Sequence, residues 1–397
     1  MGFVDKKKMI LILGLAGFVT MADNWVVSPI LPSIAQNMNV DVASASIVIT
    51  AYMLPFGLFQ LLYGYLAERL GKRQVITFSI SMFTIATALC AFAFSIPDLA
   101  VYRALTGMFA AAVMPVSLAL IGDVFPMEER QSAIGSFMGI SFLGQGLSMA
   151  IGGSIAYFLN WRGVFGVYAG LAVLSSLLLF TIGRKIPSTK NKESKALMPY
   201  ISLLRNPSSL IIYTLVIFEG FFLLGSFSFL GGFIKKTFDL NNFMIGMVMT
   251  AFGIMALLAG RKSGAIAAKI GRKQTAVTGL SLAFIADLLL VTMGSFLPVV
   301  VVAIGLMGCG FMLAHSTFLT IATEFAAKAR GIAMSLVAFC FMGGGGIGTA
   351  IGGKIVAVSS FDRLFQVYGL GLMLVTISTV LVKRSFGVSA QLQRKMD

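Results

Sequence analysis

Four ionisable side chains stand inside long apolar runs of this sequence: Asp23, Arg103, Glu219 and Asp287. The single histidine, His315, stands in another. A charge at mid-bilayer costs at least ~2.5–3.5 kcal/mol on insertion scales, so such residues mark transport or proton sites. Asp23 is the strongest proton-carrier candidate, because a carboxylate that alternates between a dry setting and a basic partner binds and releases a proton. The plain alternative is a structural cap, in which Asp23, Asn24 and Trp25 border a cavity without titrating. Arg103 stays charged and cannot carry the proton. It can press on a neighbouring carboxylate, bind backbone carbonyls, or simply pair helices. Glu219 lies in FEGFFLLGSFSF, where helical spacing predicts Phe222, Leu223 and Ser226 on its face. An acid among aromatic rings suits a lipophilic cation, by charge and by cation–π contact. The competing account is phenylalanines that face lipid. His315 has a side chain suited to titration near neutral pH, although a hydrogen-bonded packing histidine is the favoured reading.

These residues need elements to position them, and a repeat reveals what the elements are. Gly64–Arg73 reads GYLAERLGKR and, 200 residues on, Gly264–Lys273 reads GAIAAKIGRK. Gly71 falls in register with Gly271, and Lys72-Arg73 with Arg272-Lys273. GQGLSMAIGG (Gly144–Gly153) pairs with GGGIGTAIGG (Gly344–Gly353), six of ten positions being identical. The chain is two related halves in parallel order, with a charged turn between apolar runs in each.

Of the 397 residues, 58% are hydrophobic and 11% charged, and the mean hydropathy is +0.93. A soluble domain carries about 25% charged residues. The runs are continuously apolar rather than alternating, which selects helices over a membrane β-barrel. Cys90, Cys309 and Cys340 lie in apolar runs without metal-ligand spacing, so no metal is expected. The net charge of +15 comes from bases in short loops, which argues against nucleic acid. The first run continues past Asp23 and Pro29 with no small-residue cleavage pattern, unlike a signal peptide.

Twelve spans are predicted, at about 9–35, 43–67, 74–95, 98–122, 131–158, 163–183, 208–234, 242–268, 274–294, 297–323, 330–358 and 363–382. Each is long enough to cross a bilayer as a helix. The expected organisation is an N-terminal six-helix bundle (1–183), a basic linker (184–207) and a C-terminal six-helix bundle (208–397). Of the 30 basic residues, Arg162, Lys235, Lys236, Lys354 and Arg363 fall in the loops on one side and Arg103 within a span; the other 24 share the side of the termini. The positive-inside rule then puts both termini and the linker in the cytoplasm of a cell (inner or plasma) membrane protein.

Six plus six spans, a basic central loop and the turn after the second span resemble the major facilitator superfamily. Gly64, Leu66, Ala67, Arg69, Gly71, Lys72 and Arg73 match its signature turn, with Glu68 for the usual aspartate. Arg103 and Gly107 resemble its Arg-x-x-x-Gly element in the fourth span. Gly135, Gly144, Gly152 and Gly153 resemble the fifth-span glycine series of its drug–proton antiporters, except that Ser148-Met149 stands where Gly-Pro is usual. Asp23, Pro29, Leu31-Pro32 and Tyr52 are also similar to that branch. The resemblance implies an all-α integral membrane fold of twelve transmembrane helices, arranged as two six-helix bundles related by duplication. In that fold spans 1, 4, 7 and 10 line a central cavity and span 9 is peripheral. It implies proton coupling at Asp23 and Arg103, substrate contacts from Asn24, Tyr52, Glu219, Phe222, Ser226 and His315, and a structural or interfacial role for Asp287.

The turn is expected to act as a gate. The resemblance implies that Glu68, Arg69 and Lys72 form a charge cluster with Asp123, with Arg130 in the same loop; the plain alternative is that these bases only satisfy the positive-inside rule. Because Ala268 stands opposite Glu68, the latch is expected to be asymmetric. Gly144, Ser148 and Gly152, like Gly344, Gly348 and Gly352, fall at i, i+4 and i+8 as small-residue ridges, suited to a sliding interface between the halves. The leading expectation is a secondary active transporter that exports small lipophilic or cationic compounds by alternating access. It would work as a monomer in the lipid bilayer, driven by a proton gradient and no other cofactor. A sugar or metabolite efflux carrier is the alternative. The lack of a nucleotide motif argues against ATP-driven pumping, the single histidine against an enzyme, and the lack of a sizeable soluble domain against a receptor.

Overall fold

The computed structural model describes residues 6–188, 197–325 and 330–382. They are almost wholly helical, as they must be where no water is present to satisfy backbone groups. The helices are α1 (Lys6–Trp25), α2 (Val27–Asn37), α3 (Val42–Ala45), α4 (Ile47–Leu70), α5 (Lys72–Ala91), α6 (Ile96–Ala110), α7 (Val113–Val124), α8 (Met127–Phe158) and α9 (Trp161–Thr181). After them come α10 (Leu197–Arg205), α11 (Pro207–Glu219), α12 (Gly225–Phe238), α13 (Asn242–Ile270), α14 (Arg272–Met293), α15 (Leu297–Phe325), α16 (Arg330–Val358) and α17 (Phe361–Leu381). A π-turn, Gly220–Leu224, joins α11 to α12 as one span. Eleven spans among the described residues are long and apolar enough to cross a membrane, or twelve if the bent pair α1–α2 is one.

The offset of 200 reappears in three dimensions. Helices end at Leu70 and Ile270 and restart at Lys72 and Arg272; α9 and α17 each run 21 residues from 161 and 361. The intervening Gly71 and Gly271 have φ of 98° and 87°, a region that only glycine enters without strain. Asn160 and Ser360 cap the helices that follow: Asn160 Oδ1 accepts from Gly163 N at 2.9 Å and Ser360 Oγ from Arg363 N at 3.1 Å.

The chain forms two compact units, Met1–Lys195 with Leu240–Met247, and Ala196–Asp239 with Val248–Asp397. In the first, α8 lies along α1 and α4 along α6. A Cβ on Gly144 would strike the carbonyl of Phe18, and one on Gly152 the side chain of Val26. In the second, Gly344 and Gly348 meet the carbonyls of Ile217 and Phe221 in the same manner. These ridge positions therefore seat each glycine-rich helix against the leading span of its own unit. Tyr168 donates to Ser148 O at 3.4 Å and Tyr368 to Gly348 O at 2.5 Å, pinning the other side of each ridge helix.

Three expectations are revised. The first span is not one helix: α1 and α2 meet at a bend of 52°, with Pro29 and Pro32 just beyond the break. The stretch read as a polar linker contains α10, a nine-residue helix; its Lys190, Lys192 and Lys195 lie outside the described residues. The seventh span is interrupted by the π-turn, which shifts the face that each later residue presents.

Candidate functional site

In the first unit, α1 brings Asp23 to its last turn, just before the bend. Arg103 reaches it from α6, Nη1 donating to Asp23 Oδ2 at 2.6 Å and Nη2 to Asp23 O at 3.3 Å. Both side chains are buried, 0% and 1% exposed. The guanidinium lies 4.3 Å from the centroid of the Tyr52 ring and 5.6 Å from that of Phe165. Gly107 explains the close ring: a Cβ there would strike the Tyr52 carbonyl, so its absence lets α4 come down onto α6. The guanidinium is thus neutralised on one side and stacked on the other. Asp23 Oδ1 and the adjacent Asn24 Oδ1 are buried and have no partner among the described residues. Spare acceptor capacity beside a charge pair is what a proton or a polar ligand group requires.

In the second unit, the last residue of α11 is Glu219, fully buried, and His315 of α15 places Nδ1 3.2 Å from its Oε2. Glu219 Oε1 has no partner among the described residues. His315 is 17% exposed and closes a series of rings. Its imidazole lies 4.3 Å from Phe341 and 5.3 Å from Phe311. Phe311 stacks on Phe252 at 5.8 Å, and Phe252 meets Phe227 at 4.6 Å. Two glycines permit this. Gly220 lies against the Phe341 carbonyl and Gly308 against the Phe252 carbonyl, so α16 and α13 approach closely enough to bring their rings in.

The spacing argument for the face of Glu219 fails, and the π-turn is the reason. Phe222 turns to α17, where it meets Tyr368 at 5.7 Å and Gly371. Ser226 donates to Asp287 Oδ2 of α14 at 3.0 Å. The aromatic partners of Glu219 and His315 come instead from positions 252, 311 and 341, which sequence reasoning did not single out. Only Phe311 carried a signal, sitting four residues before His315 on one helical face.

At the turn end of the first unit, Lys72 Nζ sits 2.9 Å from Glu68 and 2.8 Å from Asp123. Arg69 stacks over Tyr65 at 5.0 Å. Arg73 binds the carbonyls of Arg184 and Ile186 beyond α9, and its amide donates to Ser188 Oγ at 3.2 Å. The side chain of Arg130 lies outside the described residues. In the second unit Arg272 pairs with Glu324 at 2.6 Å and Lys273 Nζ binds Val380 O. The second copy is therefore not left without an acid: Glu324, one place off the register of Asp123, serves Arg272. Among the described residues no cluster of His, Cys, Asp and Glu is arranged to hold a metal.

A family model described as the Major Facilitator Superfamily matches residues 13–349 and 220–394. A Bacillus subtilis protein named as an MFS-type transporter, YceJ, is 29% identical over 354 residues, covering 85% of this chain and 86% of its own. The puromycin resistance protein Pur8 of Streptomyces alboniger is 36% identical over 163 residues, 41% of this chain and 32% of its own. A probable sugar efflux transporter of Helicobacter pylori is 24% identical over 349 residues, 87% and 88% of the two chains. The crystal structure of the nucleoside transporter NupG superposes with a TM-score of 0.76 at 14% identity, over 94% of this chain and 99% of its own. That of a D-xylose–proton symporter gives 0.76 at 16%, over 95% and 98%.

Proposed function

This chain belongs to the Major Facilitator Superfamily, and on that premise we propose that it exports small lipophilic cations in exchange for protons. The observation that carries the reading is the Glu219–His315 pair at the end of an aromatic series. A cation that enters along the rings of Phe252, Phe311 and Phe341 gains cation–π contact and reaches the Glu219 carboxylate. His315 already occupies Glu219 Oε2, so an arriving cation competes with the imidazole for the carboxylate. A proton on Glu219 competes with both. Proton and cation then exclude one another at one group, and exclusion of this kind is the thermodynamic basis of exchange. The Asp23–Arg103 pair is a second place where a proton can alter the charge of the first unit. The proton gradient supplies the energy.

The test is uptake of a labelled lipophilic cation into proteoliposomes under an imposed pH gradient. The expected result is gradient-driven transport that Glu219→Gln reduces at least tenfold for cations and much less for neutral compounds. Equal loss for both compound types would assign Glu219 a packing role instead. A second reading, efflux of sugars or related metabolites, is favoured by the Helicobacter pylori relative, which matches along almost the full length. Sugar counterflow in the same vesicles, unaffected by Glu219→Gln, would select it.

A further inference from the structure

A third buried acid remains outside this account. Asp287 lies mid-way along α14 and is fully buried. Its Oδ2 accepts the 3.0 Å hydrogen bond from Ser226, and its Oδ1 has no partner among the described residues. Gly369 of α17 closes over it, leaving 3.1 Å between Asp287 Cβ and the place a Cβ at 369 would take.

Among the described residues no basic group reaches it. On α15, His315 is bonded to Glu219 and Glu324 to Arg272, while the remaining titratable side chain is Cys309. On α17, Tyr368 donates to Gly348 O, and Asp362 and Arg363 belong to the first turn, where Arg363 binds Gln366. On the seventh span the group that faces it is Ser226. The bases of α14 itself, Arg272 and Lys273, are fourteen or more residues away, about 21 Å along a helix. An ionised carboxylate with one neutral donor and no counter-charge is too costly in such a place, and the group neutralises.

We propose that Asp287 is a further proton-binding site, a carboxyl that keeps its proton while Ser226 is docked on it and the contact stays dry. Asparagine would make the same bond to Ser226; an acid adds a proton that leaves once water reaches it. The π-turn at 220–224 lies on the seventh span between Glu219 and Ser226. Turns of this kind recur at functional sites, and any change in its winding alters how Ser226 meets Asp287.

Infrared spectroscopy of the purified full-length protein in lipid, without substrate, tests this apart from the transport reading. A protonated carboxylic acid has a carbonyl band separate from those of carboxylates and amides. The expected result is such a band at neutral pH that disappears in Asp287→Asn and persists in Glu219→Gln. Ser226→Ala should shift it, because Oδ2 loses its donor, and this variant decides the matter should Asp287→Asn not fold. A spectrum whose carboxylic-acid bands are the same in wild type, Asp287→Asn and Ser226→Ala overturns the proposal.

Discussion

Asp23 and Arg103 are each other's only charged partner among the described residues, and neither has access to water. Removing one leaves the other buried and uncompensated, a loss of about 3–5 kcal/mol for pairs of this kind. Arg103→Gln is therefore expected to lower the thermal midpoint of the purified protein by more than the double variant Asp23→Asn/Arg103→Gln does. A double variant less stable than either single change would mean that the pair is not the stabilising unit. Tyr52 adds a separate contribution through its ring. Tyr52→Phe should be near neutral, since the Tyr52 hydroxyl has no partner among the described residues, whereas Tyr52→Leu should cost up to about 2 kcal/mol. At this scale the sequence was informative about identity and silent about pairing. The cost of burying charge singled out Asp23, Arg103, Glu219 and Asp287 as unusual, but no spacing rule links residues 80 positions apart in the chain.

At the scale of elements, the legible features were those with a periodic or repeated signal. The turn glycines, the helix ends at 70 and 270, 158 and 358, and 181 and 381, and the glycine ridges follow the offset of 200. Three distortions escaped, the 52° bend after Trp25, the break between α6 and α7 and the π-turn after Glu219. They depend on where neighbouring helices press, and apolar composition does not record that. The same limit hid Glu324, which departs from the repeat by one position. The two turns now make a graded prediction. Lys72 has two acids, so Glu68→Gln leaves it held by Asp123 and should shift a gating equilibrium by less than the ~1 kcal/mol of an exposed pair. Arg272 has Glu324 as its one ion-pair partner among the described residues, so Glu324→Gln should shift it more. Labelling of cysteines engineered at either membrane face reads the shift, and a larger effect from Glu68→Gln would contradict this ordering. Gly152→Leu should destabilise by about 1–3 kcal/mol through overpacking against Val26. Unchanged thermal stability in that variant would show that the ridge contact is loose.

At the scale of the molecule, the chain carries one architecture twice and different chemistry in each copy. The first unit holds an acid–arginine pair, the second an acid–histidine pair with rings and a further acid. Position 23 corresponds to Leu223 and position 219 to Val19, so the duplication built the scaffold and the two sites diverged on it. The proposed exchange centres on exclusion between proton and cation at Glu219. Its most direct test imposes a gradient of a lipophilic cation, with no pH gradient, across proteoliposomes whose lumen contains a pH-sensitive dye. The account predicts proton movement opposite to the cation in the wild type and none in Glu219→Gln. Cation movement with no accompanying proton movement, or equal proton movement in the variant, would contradict it.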